Sequence, residues 1–245
     1  MDVVARVAEN LAGVRGRIAE AARRSGRSAE AISLVAVTKY VNVETTDAVA
    51  AAGCLDLGES RPQSLWTKAA ALGATGILPV PKPIRWHLVG HLQRNKIRRT
   101  LPLVHLIQSV DSRRLLDALD EEAAQIGQPV AVLLEANISG DVSKTGLPPE
   151  QLASLVANAA GWSHVAIRGL MGMASLEGGG DAAQRDFERL RLLRDRLAVS
   201  APPVVSLAEL SMGMSGDFEI AIAQGATIVR IGSALFEGVA GGAAE

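Results

Sequence analysis

From Ile32 onward the chain alternates short, apolar, β-rich runs with amphipathic helical stretches, and this alternation constrains the fold more than any single motif. The runs are Ser33 to Lys39, Cys54 to Gly58, Arg85 to Gly90, Val104 to Val110, Val130 to Ile138, Val165 to Met171, Ala208 to Ser211 and Thr227 to Ile231. Between them, helical patterns begin near Val43, Pro62, Leu92, Ser112, Pro148, Asp181 and Phe218, with Asp111 and Ser112 offering N-cap chemistry to the fourth. The run Val-Ala-Val-Leu-Leu at 130 to 134 is apolar on both faces, as a parallel strand covered by helices must be. Eight strand-then-helix units predict an α/β fold, a single (β/α)8 TIM barrel. A doubly wound open sheet would call for a glycine fingerprint after the first strand, and Lys39-Tyr40-Val41-Asn42 is not one.

Ahead of the repeats, Val4, Val7, Leu11, Val14 and Ile18 form one stripe at helical spacing. The expected organisation is an N-terminal helix within 1–27 packed on a barrel spanning 28–245, one domain overall. With 48% hydrophobic and 21% charged residues in 245, the chain carries enough apolar material for one substantial core.

Charge and composition exclude several function classes. Twenty-five basic against 26 acidic side chains leave a formal net charge of −1, so bulk attraction to nucleic acid is not expected. The longest stretch without a charge, between Glu150 and Arg168, contains Gln151, Ser154, Asn158, Ser163 and His164 and is not a membrane span. Asp2, Glu9 and Glu20 argue against a transit peptide, no secretory signal pattern precedes them, and the lone Cys54 forms no internal disulfide. A cytoplasmic protein is expected, monomeric because no long apolar stripe is left uncovered.

In a (β/α)8 barrel, ligand chemistry sits at the carboxyl ends of the strands. Those positions carry Lys39; Glu59 and Ser60; His87 and Gly90; Ser109; Asn137; Met171 and Met173; Ser211; and Gly232 with Ser233. Lys39 closes the apolar run Leu34-Val35-Ala36-Val37-Thr38, so its side chain is expected to leave a dry wall. Burial disfavours an ammonium, and a neutral amine attacks an aldehyde to give a Schiff base. The competing reading is a strand-end lysine that reaches out to water.

Opposite it, Ser211-Met212-Gly213-Met214-Ser215-Gly216-Asp217 and Val229-Arg230-Ile231-Gly232-Ser233 end the last two strands. Glycines admit close backbone approach, and amides and hydroxyls at a helix start hold a phosphate. Ordinary glycine turns are the alternative for either loop alone. A lysine facing a phosphate cradle suits a phosphorylated aldehyde, and pyridoxal 5′-phosphate (PLP) is the obvious candidate. Strand alternation puts Ile228, Arg230 and Gly232 on one side, so Arg230 could reach the pyridine nitrogen. A guanidinium keeps its protons, which leaves that nitrogen unprotonated and the ring a poor electron sink.

Val35-Ala36-Val37-Thr38-Lys39, Gly58-Glu59, the segment Trp86-His87-Leu88-Val89-Gly90-His91-Leu92-Gln93-Arg94-Asn95-Lys96, Gly169-Leu170-Met171, Ser211-Met212-Gly213-Met214-Ser215 and Val229-Arg230-Ile231-Gly232-Ser233 together resemble the pyridoxal phosphate homeostasis protein family, in order and over nearly the whole chain. The resemblance implies a barrel like the N-terminal domain of alanine racemase, PLP held as a Schiff base on Lys39, and no established catalytic reaction. It implies that Ser211, Met212, Gly232 and Ser233 hold the phosphate, that Arg230 meets the pyridine nitrogen, and that PLP-dependent apoenzymes are partners. The run from Asn137 to Gly146 resembles a family loop whose lysine, here Lys144, takes part in cofactor transfer. One departure is Gly58-Glu59-Ser60, where the family usually has Gly-Glu-Asn; the shorter hydroxyl puts one cofactor contact in doubt.

Other features are read as structural. His87 and His91 lack a carboxylate companion and no metal site is expected. Arg94, Lys96, Arg98 and Arg99 read as a solvated face, Gly178-Gly179-Gly180 as a loop before a helix from Asp186 to Leu197, and Cys54 as a small buried hydrophobe. The rival functions are a racemase-like PLP enzyme acting on amino acids and a Schiff-base aldolase. The first needs an acid/base across the substrate from Lys39. The only tyrosine, Tyr40, is adjacent to Lys39 and poorly placed for that. Few residues follow Ser233 to build a second domain. The second would rely on Glu59, the one rim carboxylate near the lysine.

Overall fold

The eight β-rich runs close into one parallel barrel in sequence order, the first strand pairing with both the second and the eighth. The computed structural model describes residues 2–75, 83–138, 145–175 and 177–239. Its strands are β1 (Ser33–Val37), β2 (Asp56–Glu59), β3 (Arg85–Leu88), β4 (Val104–Val110), β5 (Val130–Glu135), β6 (Val165–Met171), β7 (Glu209–Ser211) and β8 (Ile228–Ile231). The helices are α1 (Val3–Arg24), α2 (Val43–Ala51), α3 (Pro62–Thr75), α4 (Ile97–Thr100), α5 (Arg113–Ile126), α6 (Pro149–Ala157), α7 (Gly179–Ser200) and α8 (Phe218–Ala223).

Helix α1 forms because Val7, Leu11, Val14 and Ile18 bury one stripe while the Asp2 side chain accepts from the amide of Val4. It lies against α2 and α8. Asn10 Nδ2 donates to the carbonyls of Leu235 and Glu237 at 3.1 and 2.9 Å, and Arg17 stacks 4.6 Å from the ring centroid of Phe218. The N-terminal segment is thereby fastened to the chain that follows β8.

Side chains alternate between two environments, as the pleat requires. Leu57, Leu88, Ile107, Val132, Leu170, Leu210, Val229 and Ile231 point outward into the layer beneath the helices. Val35, Leu106, Leu133, Met171 and Ile228 form a small apolar cluster inside the barrel. Gly169 is needed where β6 meets β7, since a Cβ there would stand 1.8 Å from the carbonyl oxygen of Glu209.

Three expectations are corrected. β1 ends at Val37, not at Lys39, because its ladder gives way to a turn in which the Val41 amide donates to the Thr38 carbonyl at 3.1 Å. The helix expected near Leu92 is short: a 3-10 turn at Arg94–Lys96, one turn of α4, then a second 3-10 turn at Leu101–Leu103 that carries Pro102. The triple glycine is not a loop before Asp186: α7 begins at Gly179, with Gly178 in the left-handed region at φ 94°.

Candidate functional site

Arg230 lies inside the barrel on β8 and is only 5% exposed. Its Nη1 donates to Ser211 Oγ at 2.6 Å and its Nη2 to the carbonyl of Gly172 at 3.0 Å. Among the described residues no carboxylate lies within ion-pair distance of it; Asp217 and Glu135 act on it only at longer range. Burial pushes its guanidinium down to about 10, which still leaves it cationic at neutral pH. A buried cation held by one hydroxyl and one carbonyl keeps N–H donors in hand for a ligand.

The turns after β7 and β8 are tied together by Ser215, whose Oγ accepts from the amides of Gly232 and Ala234, each at 3.3 Å. Asp217 shapes the first turn by accepting from the Met214 amide at 2.6 Å. Gly213 has φ 93°, and a Cβ on it would stand 2.6 Å from Ala221 Cβ, so only glycine fits. Ser233 is exposed at the mouth. Ser211 Oγ is fully buried and engaged by Gln108 and Arg230, and Met212 sends its side chain into the outer core while its amide donates to Ile228 O at 3.1 Å. The hydroxyl bridging the two glycine turns belongs to Ser215, four residues on.

Lys39 is exposed, and its Nζ stands 4.6 Å from the centroid of the Tyr40 ring. The dry wall expected for it is absent because β1 stops two residues earlier. The buried lysine of this region is Lys68 on α3, which the sequence reading did not single out. Its Nζ donates to the Thr38 carbonyl at 2.7 Å and to Glu59 Oε1 at 2.5 Å, and Thr38 Oγ1 donates to the same carboxylate oxygen at 2.7 Å. Glu59 is therefore turned behind β2 against α3 and does not face the mouth. Together Lys68 and Glu59 hold the backbone unit immediately before Lys39.

His87, expected at the rim, lies inside the barrel between Asp56 and Gln108, at 3.0 Å from each. His91 is exposed and pairs with Asp111 at 2.8 Å. On the inner face of β5, burial raises the Glu135 carboxyl above the usual carboxylate range, against an opposing hydrogen bond of 2.5 Å from Thr145 Oγ1. Cys54 is buried and its thiol is pushed up to about 11 by desolvation, so it is an inert hydrophobe. Lys144 lies outside the described residues.

Asp56 closes the amino-terminal mouth. Desolvation alone would raise its carboxyl, but hydrogen bonds from His87 and Arg85 outweigh it and hold the group down at about 2, against an ordinary 3.8. As pH falls, the unfolded chain binds this proton first. The contribution is thus full above about pH 4 and is lost as pH falls from there towards about 2. Urea midpoints of Asp56→Asn should lie below the wild type at neutral pH and converge on it across that acid window; parallel curves for the two proteins would contradict the assignment.

The barrel, with a lysine just past its first strand and paired glycine turns after its last two, defines a class. Residues 10–239 match the family described as alanine racemase, N-terminal domain. An alanine racemase from Streptomyces coelicolor shares the fold at a TM-score of 0.71, with 19% identity over 95% of this chain and 58% of that one. Within the class the match narrows. Proteins named pyridoxal phosphate homeostasis protein from Mycobacterium leprae and Pseudomonas aeruginosa are 37% and 36% identical, covering 92% and 94% of this chain and 90% and 94% of theirs. The chain belongs to the pyridoxal phosphate homeostasis protein family. A solved structure of PipY from Synechococcus elongatus with PLP bound aligns at a TM-score of 0.81 and 33% identity, over 94% of this chain and 99% of that one.

Proposed function

We propose that this protein binds PLP reversibly through Lys39 and serves PLP homeostasis as a carrier or buffer, with no catalytic reaction of its own. The observation that carries the reading is Arg230, a buried guanidinium without a carboxylate partner among the described residues, set in a barrel whose mouth holds an exposed amine and two glycine turns. That donor set fits the cofactor's three polar ends: an aldehyde for Lys39, a ring nitrogen for Arg230, and a phosphate for the turns around Ser215, Gly232 and Ser233. The family membership and the PLP-bound PipY support the same ligand.

The chemistry the cofactor supplies is an electrophilic aldehyde. Lys39 Nζ is the amine that would meet that carbon, and condensation there with loss of water would give a link that hydrolysis reverses. Arg230, protonated at neutral pH, donates to the ring nitrogen and keeps it unprotonated. The ring is then a weak sink for a substrate's electrons, and retention is favoured over turnover. Tyr40 is exposed on the same turn as Lys39 and does not stand across from it as a second acid/base. The reading includes a cytoplasmic site of action, apoenzymes as recipients, and Lys144 as the second amine in handing the cofactor on.

Titration of the purified protein with PLP should produce one visible imine band per chain, with no accumulation of D-amino acid when L-amino acids are supplied. Sustained D-amino acid production would make it a racemase-like enzyme, and an unchanged spectrum would overturn PLP binding.

A further inference from the structure

Inside the barrel, a single file of hydrogen bonds runs from Arg230 to the opposite mouth. Arg230 Nη1 donates to Ser211 Oγ at 2.6 Å, Ser211 Oγ donates to Gln108 Oε1 at 2.7 Å, Gln108 Nε2 lies 3.0 Å from His87 Nδ1, and His87 Nε2 lies 3.0 Å from Asp56 Oδ1. Asp56 is gripped in turn by Arg85, whose Nε donates to Oδ1 at 2.6 Å. Gln108 and Ser211 are fully buried, and His87 nearly so.

The orientation of the Gln108 amide in the structure sets the direction of the file. A guanidinium only donates, so Ser211 must accept from it and spend its one proton on Gln108 Oε1. The amide is oriented with its NH2 towards His87, whose Nδ1 must present a lone pair. The His87 proton then sits on Nε2 and meets Asp56, which only accepts. With the amide so oriented the proton positions follow along the file, and a satisfied buried chain of this kind rigidifies what it holds.

We propose that Gln108 and His87 are positioning residues for Arg230, locking the plane of its guanidinium from beneath so that the remaining donors stay aimed at the ligand position. The proposal rests on the reading that Arg230 meets the pyridine nitrogen, but the locking itself is a property of the protein without ligand. The Gly172 carbonyl holds Nη2 and fixes one edge. Among the described residues only the Ser211 contact fixes the other, and Ser211 keeps its orientation through Gln108.

The test uses the full chain with Gln108→Leu, Ser211→Ala and the double variant. In PLP-free protein, the nitrogen resonances of the Arg230 Nη groups should be separate in the wild type and averaged by rotation in each variant. After loading with PLP, each single variant should weaken retention about tenfold and shift the visible band. The double variant should be no worse than either single one, because both cut the same file. If Gln108→Leu does not fold, Ser211→Ala alone carries the comparison. Separate Nη resonances in a folded variant, or PLP losses that add in the double variant, would overturn the proposal. A wild type that gives the expected nitrogen spectra yet takes up no PLP would leave the locking standing and sink the cofactor reading instead.

Discussion

Lys39→Ala is expected to abolish the visible imine band while leaving the fold intact. The side chain is exposed in the turn after β1 and, among the described residues, makes only the ring contact with Tyr40, so its removal should change stability by no more than about 0.5 kcal/mol. What disappears is the covalent link. PLP would still meet Arg230 and the turns joined by Ser215, so weak binding should survive, at least about tenfold poorer, or roughly 1.4 kcal/mol. The pairing of an unchanged thermal midpoint with a lost band separates a cofactor amine from a structural lysine. A band of undiminished intensity in Lys39→Ala would move the imine to another amine.

Lys68→Met should have the opposite profile. Lys68 and Glu59 are respectively 6% and 0% exposed, and their ion pair is the support under the Thr38 carbonyl. Removing the ammonium strands a buried carboxylate whose other oxygen, Oε2, already lacks a partner among the described residues. The cost of breaking such a pair is about 3–5 kcal/mol, a fall in melting temperature on the order of 10 °C for a chain of this size. The Glu59→Leu/Lys68→Met double variant removes both charges and should recover more than half of that loss, because the burial penalty goes with them. Calorimetry of the single and double variants decides it; a double variant no more stable than Lys68→Met would show that the clamp on Thr38 outweighs the charge pairing.

The alternation of β-rich and helical runs made the barrel legible, since eight apolar strands cannot be covered on both faces in many other ways. Strand parity also placed Arg230: Ile228 and Arg230 do share the inner face. The dry setting expected for Lys39 is missing because the ladder ends before it, at the Thr38–Val41 turn. Ser211, which the family resemblance assigns to the phosphate, has its hydroxyl engaged by Gln108 and Arg230, while Ser215 joins the two turns.

Two omissions had signals in the chain. Lys68 falls three residues after Leu65 and four before Leu72, on the buried stripe of α3, where a lysine must find a carboxylate. Gln108 follows Leu106 by two and so shares its inward face, a polar residue in the middle of an otherwise apolar wall. What neither position reveals is the partner: Glu59 meets Lys68 across the β2–α3 turn, and Ser211 meets Gln108 only because the barrel closes.

If the Lys39 amine condenses with the cofactor aldehyde, borohydride reduction of the PLP-treated wild-type protein will fix that bond, and proteolysis with peptide mass measurement will locate it. The predicted result is one pyridoxyl group on the peptide containing Lys39. A chain left unmodified, or one labelled at a different lysine with Lys39 untouched, would contradict it.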